Sequence, residues 1–166
     1  MKKSTRYLVL ASLLAALTCV ATIIIKVPSP FKGYLNLGDS AVLLSGFLLP
    51  SGYGFLAAAV GSALADLFAG YGVYAPATFF IKGLTALVFY LLNRHLPKTI
   101  PAFLNRIIAG VAAETVMVTG YFIFEGIIYG FSASAVNIPA NAVQGIAGII
   151  IGMSLMKIFE KLKIRF

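Results

Sequence analysis

Five ionisable side chains, Asp39, Asp66, Lys82, Glu114 and Glu125, stand inside long apolar runs or at their margins. A charge in hydrocarbon costs on the order of several kcal/mol unless it is paired or faces a cavity, so each one needs a partner or a ligand. Helical spacing groups them with other polar residues. Glu114, Val118, Tyr121 and Glu125 follow an i, i+4, i+7, i+11 pattern, as do Asn137, Asn141, Gln144 and Gly148, while Tyr74, Thr78 and Lys82 fall at i, i+4, i+8. Three helices therefore each carry a polar stripe. Interhelical hydrogen bonds, worth about 0.6 kcal/mol each on average, are the plain explanation for any one stripe. A shared pocket explains all three together.

Individual residues also have structural readings. Asp39 follows Gly38 at the start of a helix, where a carboxylate caps free N–H groups and meets the positive dipole end. Asp66 and Glu125 lie near predicted helix C-termini, where the dipole disfavours an anion, so either is a candidate ion-pair partner for Lys82. Lys82 could equally snorkel to the interface on its long stem. Asn137 is a candidate N-cap, whereas Asn141 and Gln144 lie too far into the helix for that role. Loops 27–38 and 70–75 add Tyr34, Asn36, Tyr71 and Tyr74, which read as an interfacial aromatic belt or as a lid. Amides, hydroxyls, rings and charges of both signs suit a small, polar, heteroaromatic ligand; a carboxylate ligand would pair with Lys82. No HExxH pair, Walker sequence or Gly-x-Ser-x-Gly elbow is present. Cys19 stands alone in an apolar run and His95 in a polar turn, so the residues imply binding without catalysis, metal or cofactor.

The elements that position these residues are membrane spans. Of 166 residues, 60% are hydrophobic and only 11% charged, with a mean hydropathy of +0.98; soluble domains carry about 25% charged residues. The net charge of +8 does not signal nucleic acid, because the basic residues flank apolar runs and the lipid bilayer is the partner they imply. Apolar segments fall at 7–25, 40–49, 53–69, 76–93, 102–129 and 138–158. The first is preceded by basic residues like a signal peptide, but its length matches the ~20 residues of a span, so it reads as a retained helix. The second is too short to span unless it begins near Asn36 or sits tilted behind its neighbours. With six spans, Lys2, Lys3, Arg6, Arg94, Lys98, Arg106, Lys157, Lys161, Lys163 and Arg165 share one side, against Lys26 and Lys32 on the other. That asymmetry predicts an all-α membrane protein of six transmembrane helices, in a single domain over 1–166, with both termini cytoplasmic. The polar stripes then converge toward the outer side. Ala11 and Ala15, and offset by one Ser12 and Ala16, give the first helix a small-xxx-small face for close helix approach.

The strings Gly33-Tyr34-Leu35-Asn36-Leu37-Gly38-Asp39, Gly61-Ser62-Ala63-Leu64-Ala65-Asp66, Tyr74-Ala75-Pro76-Ala77-Thr78 and Ile81-Lys82-Gly83 resemble the substrate-binding S components of energy-coupling factor (ECF) transporters. The similarity is to the branch that includes hydroxymethylpyrimidine and vitamin B6 transporters. It implies a multi-pass protein of the prokaryotic plasma membrane that takes up a vitamin-like molecule. It further implies docking of the Ala11-xxx-Ala15 face onto a T component that joins two ATPases. Substrate would sit between the fourth, fifth and sixth helices, under the two loops. The residues expected at that site are Asn36, Asp39, Asp66, Tyr74, Thr78, Lys82, Tyr121, Glu125, Asn137, Asn141 and Gln144. Two other classes compete: a self-sufficient secondary transporter, with Asp66, Lys82, Glu114 and Glu125 as a relay, and a structural subunit without a ligand. The absence of an internal repeat or broken helices argues against the former.

Overall fold

The computed structural model describes residues 3–29, 34–97 and 99–162. Lys2, Lys32, Gly33, Lys98, Lys163 and Arg165 lie outside the described residues. Among the described residues the regular structure is helical apart from one small hairpin. Its elements are α1 (Lys3–Ile24), β1 (Val27–Pro28), β2 (Tyr34–Leu35), α2 (Gly38–Leu48), α3 (Ser51–Phe68), α4 (Ala75–His95), α5 (Ala102–Tyr129), α6 (Phe131–Ala135) and α7 (Ile138–Lys161). Among the described residues, five helices, α1, α3, α4, α5 and α7, are long and apolar enough to cross a membrane. Their outward faces present bare Leu, Ile, Val and Phe side chains, among them Leu13, Phe68, Phe80 and Ile127, which is what a lipid-facing surface requires.

The second apolar segment forms an 11-residue helix, about 16 Å long at ~1.5 Å per residue, against a hydrocarbon core of roughly 30 Å. It is enclosed by its neighbours: every residue from Gly38 to Gly46 is buried, and α1, α3, α4 and α7 all pack against it. A helix apolar on all sides belongs in the middle of a bundle. Proline sets its end, since Leu49 precedes Pro50 and adopts an extended conformation with ψ 152°. The same effect stops α4, where Leu96 precedes Pro97 and has ψ 146°. The five-residue α6 has no counterpart among the predicted segments, and loop 27–38 contains the antiparallel β1–β2 hairpin, with Val27 opposite Leu35 and Pro28 opposite Tyr34.

The turn after α3 is built to hold its aromatic residues. Gly70 takes a left-handed φ of 83°. The N–H of Tyr71 donates to the carbonyl of Asp66 and that of Gly70 to Leu67, the paired bonds of a Schellman motif. At the opposite end, Arg106 of α5 makes a two-pronged ion pair with Glu160 of α7. Ala11, Leu14, Leu43, Leu44, Phe89, Ala113 and Met156 fill the core between these ends.

Small residues set how closely α1 and α3 approach. A Cβ at Gly61 would meet the Ala15 carbonyl and come 2.9 Å from the Thr18 Cβ, whereas one at Gly52 would meet nothing within 4 Å. Gly61→Ala is expected to destabilise the folded protein by about 1–3 kcal/mol through overpacking. Gly52→Ala should leave it unchanged or stabilise it by ~0.5–1 kcal/mol. Thermal unfolding in detergent compares the two; equal midpoints would show that the α1–α3 spacing is not tight.

Candidate functional site

The polar residues of α3, α4, α5 and α7 meet at the end of the bundle capped by the hairpin and the α3–α4 turn. There Asn36, Asp66, Tyr74, Thr78, Tyr121, Glu125, Asn137, Asn141 and Gln144 surround one pocket, joined by Ser29, Tyr34 and Tyr71. Its internal cavity is about 40 Å³, enough for a few waters at the ~10–15 Å³ each requires.

Aromatic rings make the roof. The Tyr34 and Tyr71 rings lie 4.8 Å apart, and Tyr71 meets Tyr74 edge-on at 6.1 Å. Tyr34 donates to Asp66 Oδ1 at 2.8 Å. Burial, then the neighbouring Asp66 carboxylate, raises the Tyr34 phenol well above its ordinary range, so it remains a donor. One wall is formed by Glu125, which accepts from the Tyr74 hydroxyl at 3.3 Å and from Asn137 Nδ2 at 3.0 Å. Thr78 and Tyr121 share a 3.0 Å hydrogen bond between hydroxyls. Two polar groups stay uncommitted. Asp66 Oδ2 is buried with no hydrogen-bond partner among the described residues. The half-buried Asn141 amide likewise makes no side-chain bond among them.

Below the pocket lies a charged floor. Lys82 donates to Asp39 Oδ1, and both side chains are almost completely buried. Gln144 Nε2 donates to Asp39 Oδ2 at 2.6 Å. Gln144 Oε1 accepts from the Asn36 backbone N–H at 2.9 Å and from its side chain at 3.3 Å. The pair is thereby linked to the residue that follows β2.

Several sequence expectations change here. Asp39 and Lys82 do not line the pocket; they pair with each other one layer beneath it, and Lys82 Nζ stands 5.4 Å from the centre of the Tyr121 ring. Lys82 therefore pairs with neither Asp66 nor Glu125, and it does not snorkel, because a buried carboxylate lies within reach. Asp39 makes no capping bond to α2; Asn36 Oδ1 accepts from the Gly38 N–H at 2.9 Å instead. Asn137 occupies the N-cap position of α7 without a side-chain capping bond and spends its amide on Glu125. Glu114 lies away from the pocket, against Gly145 and Gly148. Ser29 was missed, since a single serine in a Pro-rich loop carries no periodic signal. Tyr71 was visible only as part of a lid-like loop. Ala11 is buried in the core, whereas Ala15 lines an outward groove between α1 and α3 with Ser12, Ala16 and Cys19. Among the described residues there is no cluster of three or more His, Cys, Asp or Glu that could hold a metal.

A bundle of apolar helices enclosing an aromatic, amide-rich pocket at one end is the architecture of a membrane-embedded binding protein. The chain belongs to the family described as "ECF-type riboflavin transporter, S component", which matches residues 2–161. It is thus the substrate-binding subunit type of an ECF transporter. The fold is similar over 98% of this chain and 100% of the other to a solved structure described as the S component of a bacterial ECF transporter, with a TM-score of 0.79 and 25% identity. A Pyrococcus woesei protein described as an uncharacterized protein in a gap 3′ region is 33% identical over 143 residues, 86% of this chain and 93% of that protein.

The floor makes its own prediction. Removing one partner of a buried ion pair strands the other charge, so Lys82→Met is expected to cost about 3–5 kcal/mol of stability. The double variant Asp39→Asn with Lys82→Met removes both charges and keeps an acceptor for Gln144, and should recover most of that loss. Unfolding midpoints of the two measure it; a double variant as unstable as the single one would contradict the pairing.

Proposed function

We propose that the chain captures a small, nitrogen-containing heteroaromatic vitamin or vitamin precursor at the hairpin end of the bundle. The observation that carries this reading is the pairing of tyrosine rings with two uncommitted polar groups, the Asn141 amide and Asp66 Oδ2. An aromatic ring can stack on Tyr34, Tyr71 or Tyr74. A ring amino group or hydroxymethyl proton can be donated to Asp66, and Asn141 can both donate and accept. Asn36, Thr78, Tyr121, Glu125, Asn137 and Gln144 complete the lining, while Asp39 and Lys82 support it from below.

The cavity of about 40 Å³ is far smaller than the ~300 Å³ or more of a usual small-molecule site. Entry therefore requires the hairpin and the α3–α4 turn to move outward. A single-ring compound of the hydroxymethylpyrimidine or pyridoxine type needs the smaller movement. Riboflavin, which the family's description names, offers the same ring chemistry in a three-ring body and is the second reading.

In this proposal the hairpin end faces outward from a prokaryotic plasma membrane, the buried α2 makes a sixth, partial crossing within the bundle, and both termini are cytoplasmic. In support, Lys3, Arg6, Arg94, Arg106, Lys157 and Lys161 all lie at the other end, and Lys26 is the only described basic residue near the hairpin. A T component and two ATPases would supply the energy. The face offered to the T component is the groove formed by Ser12, Ala15 and Ala16, with Ala11 turned inward as a packing residue.

Mass spectrometry of small molecules released from the purified protein, followed by direct titration, identifies the ligand. A heteroaromatic compound of one of the two kinds is expected. Asn141→Ala should weaken its binding at least ~10-fold, the equivalent of roughly 1.4 kcal/mol. Failure of both kinds to bind would refute the reading. Ala15→Phe should leave binding intact and abolish uptake by the assembled complex; equal loss of both would exclude the groove as a docking face.

A further inference from the structure

Glu114 takes no part in the pocket, yet it is one of the most enclosed charged side chains, 5% exposed. Both of its carboxyl oxygens are buried without a hydrogen-bond partner among the described residues. The fold makes room for it on purpose-built glycines: a Cβ at Gly145 would lie 3.0 Å from the Glu114 Cβ, and one at Gly148 would lie 3.4 Å from its Oε1 and 2.7 Å from the Asp39 Cβ.

The charges facing it are Asp39 from α2 and Lys82 from α4; α7 contributes only glycines and the Gln144 amide nearby. Thr115, one residue along α5, donates its hydroxyl to the Val111 carbonyl. Lys82 is already engaged by Asp39, whose other oxygen is held by Gln144. An ionised Glu114 would add a second anion beside Asp39 with no compensating cation. Uncompensated charge in so dry a site is strongly disfavoured, whereas a neutral acid is not. The side facing away from the ion pair opens between α5 and α7 into a cavity of about 310 Å³, lined by Glu114, Thr115, Thr119 and apolar residues that include Val118 and Ile146. Val111 and Ile146, which also line it, are exposed on the lipid-facing surface.

We propose that Glu114 is a proton-binding site of the membrane interior, a carboxylic acid buried in the wall of the α5–α7 cavity and uncovered toward the lipid by local motion of that wall, and that it accepts neutral, apolar electrophiles of the carbodiimide class. In that reaction the acid proton passes to a carbodiimide nitrogen and the carboxylate oxygen bonds to the central carbon. The resulting O-acylisourea rearranges by oxygen-to-nitrogen acyl transfer to a stable N-acylurea. Nothing leaves, so the protein gains the full mass of the reagent.

Dicyclohexylcarbodiimide added to the full-length protein in lipid nanodiscs is expected to give one such adduct on the Glu114 peptide. The adduct should be absent in Glu114→Gln, and the cationic, water-soluble carbodiimide should not form one. Glu114→Gln should also keep its unfolding midpoint within ~3 °C, because an amide replaces a neutral acid of the same shape. The proposal is overturned if the folded protein stays unlabelled while the same reagent modifies Glu114 after unfolding in dodecyl sulfate. Equal labelling by the water-soluble reagent would overturn it too, as would a large fall in the Glu114→Gln midpoint, which would mark Glu114 as an ionised counter-charge.

Discussion

The contact between Lys82 and Asp39 is the constraint on which the rest of the interior depends. Neither charge can stand alone in a site closed to water, so the helices that carry them, α4 and α2, must meet at that depth. The remaining acceptor on Asp39 then requires a donor, and Gln144 of α7 supplies it. Gln144 in turn offers its carbonyl to Asn36, which places the end of the hairpin above the floor. One ion pair therefore orders three helices and a loop. A helix of 11 residues, too short to reach both faces of a bilayer, is fixed in place because its N-terminal carboxylate has a single location where it can be satisfied.

Hydropathy made the long helices legible, since a run of about 20 apolar residues has few alternatives to a span. Periodicity made much of the pocket legible as well: Thr78, Tyr121, Glu125, Asn141 and Gln144 lie on faces that do converge. What it could not resolve was depth and pairing. When only spacing is known, Asp66 and Glu125 stand as partners for Lys82 and Asp39 reads as a helix cap. In the folded protein Tyr34 serves Asp66, Tyr74 and Asn137 serve Glu125, and Asp39 takes both Lys82 and Gln144. The facing direction of Ala11 was equally hidden, because a stripe of small residues looks the same whether it packs inside a bundle or outside it. The β1–β2 hairpin has no sequence signal longer than two residues per strand.

The two ends of the bundle are built differently. The end holding Arg106 and Glu160 is joined by an ion pair on exposed helix faces and stands over a core of Leu, Phe and Met. The hairpin end is held by hydrogen bonds among tyrosines, amides and carboxylates, with few large aliphatic side chains between them. Apolar packing resists separation over its whole area, whereas a hydrogen-bonded roof yields one bond at a time. The polar end is the one suited to opening and closing without loosening the bundle.

Among the bonds that hold the hairpin are those from Tyr34 to Asp66 and from Asn36 to Gln144. At a net ~0.5–1.5 kcal/mol per hydrogen bond, these bonds alone contribute about 2–4 kcal/mol to holding it. For the opening proposed above, that magnitude sets an upper bound of a few per cent on the open form at rest. A ligand bound by the open form alone has its observed affinity reduced by the same fraction. The strength of these few bonds is thus a setting for sensitivity: a variant with a looser roof would register lower concentrations of such a ligand.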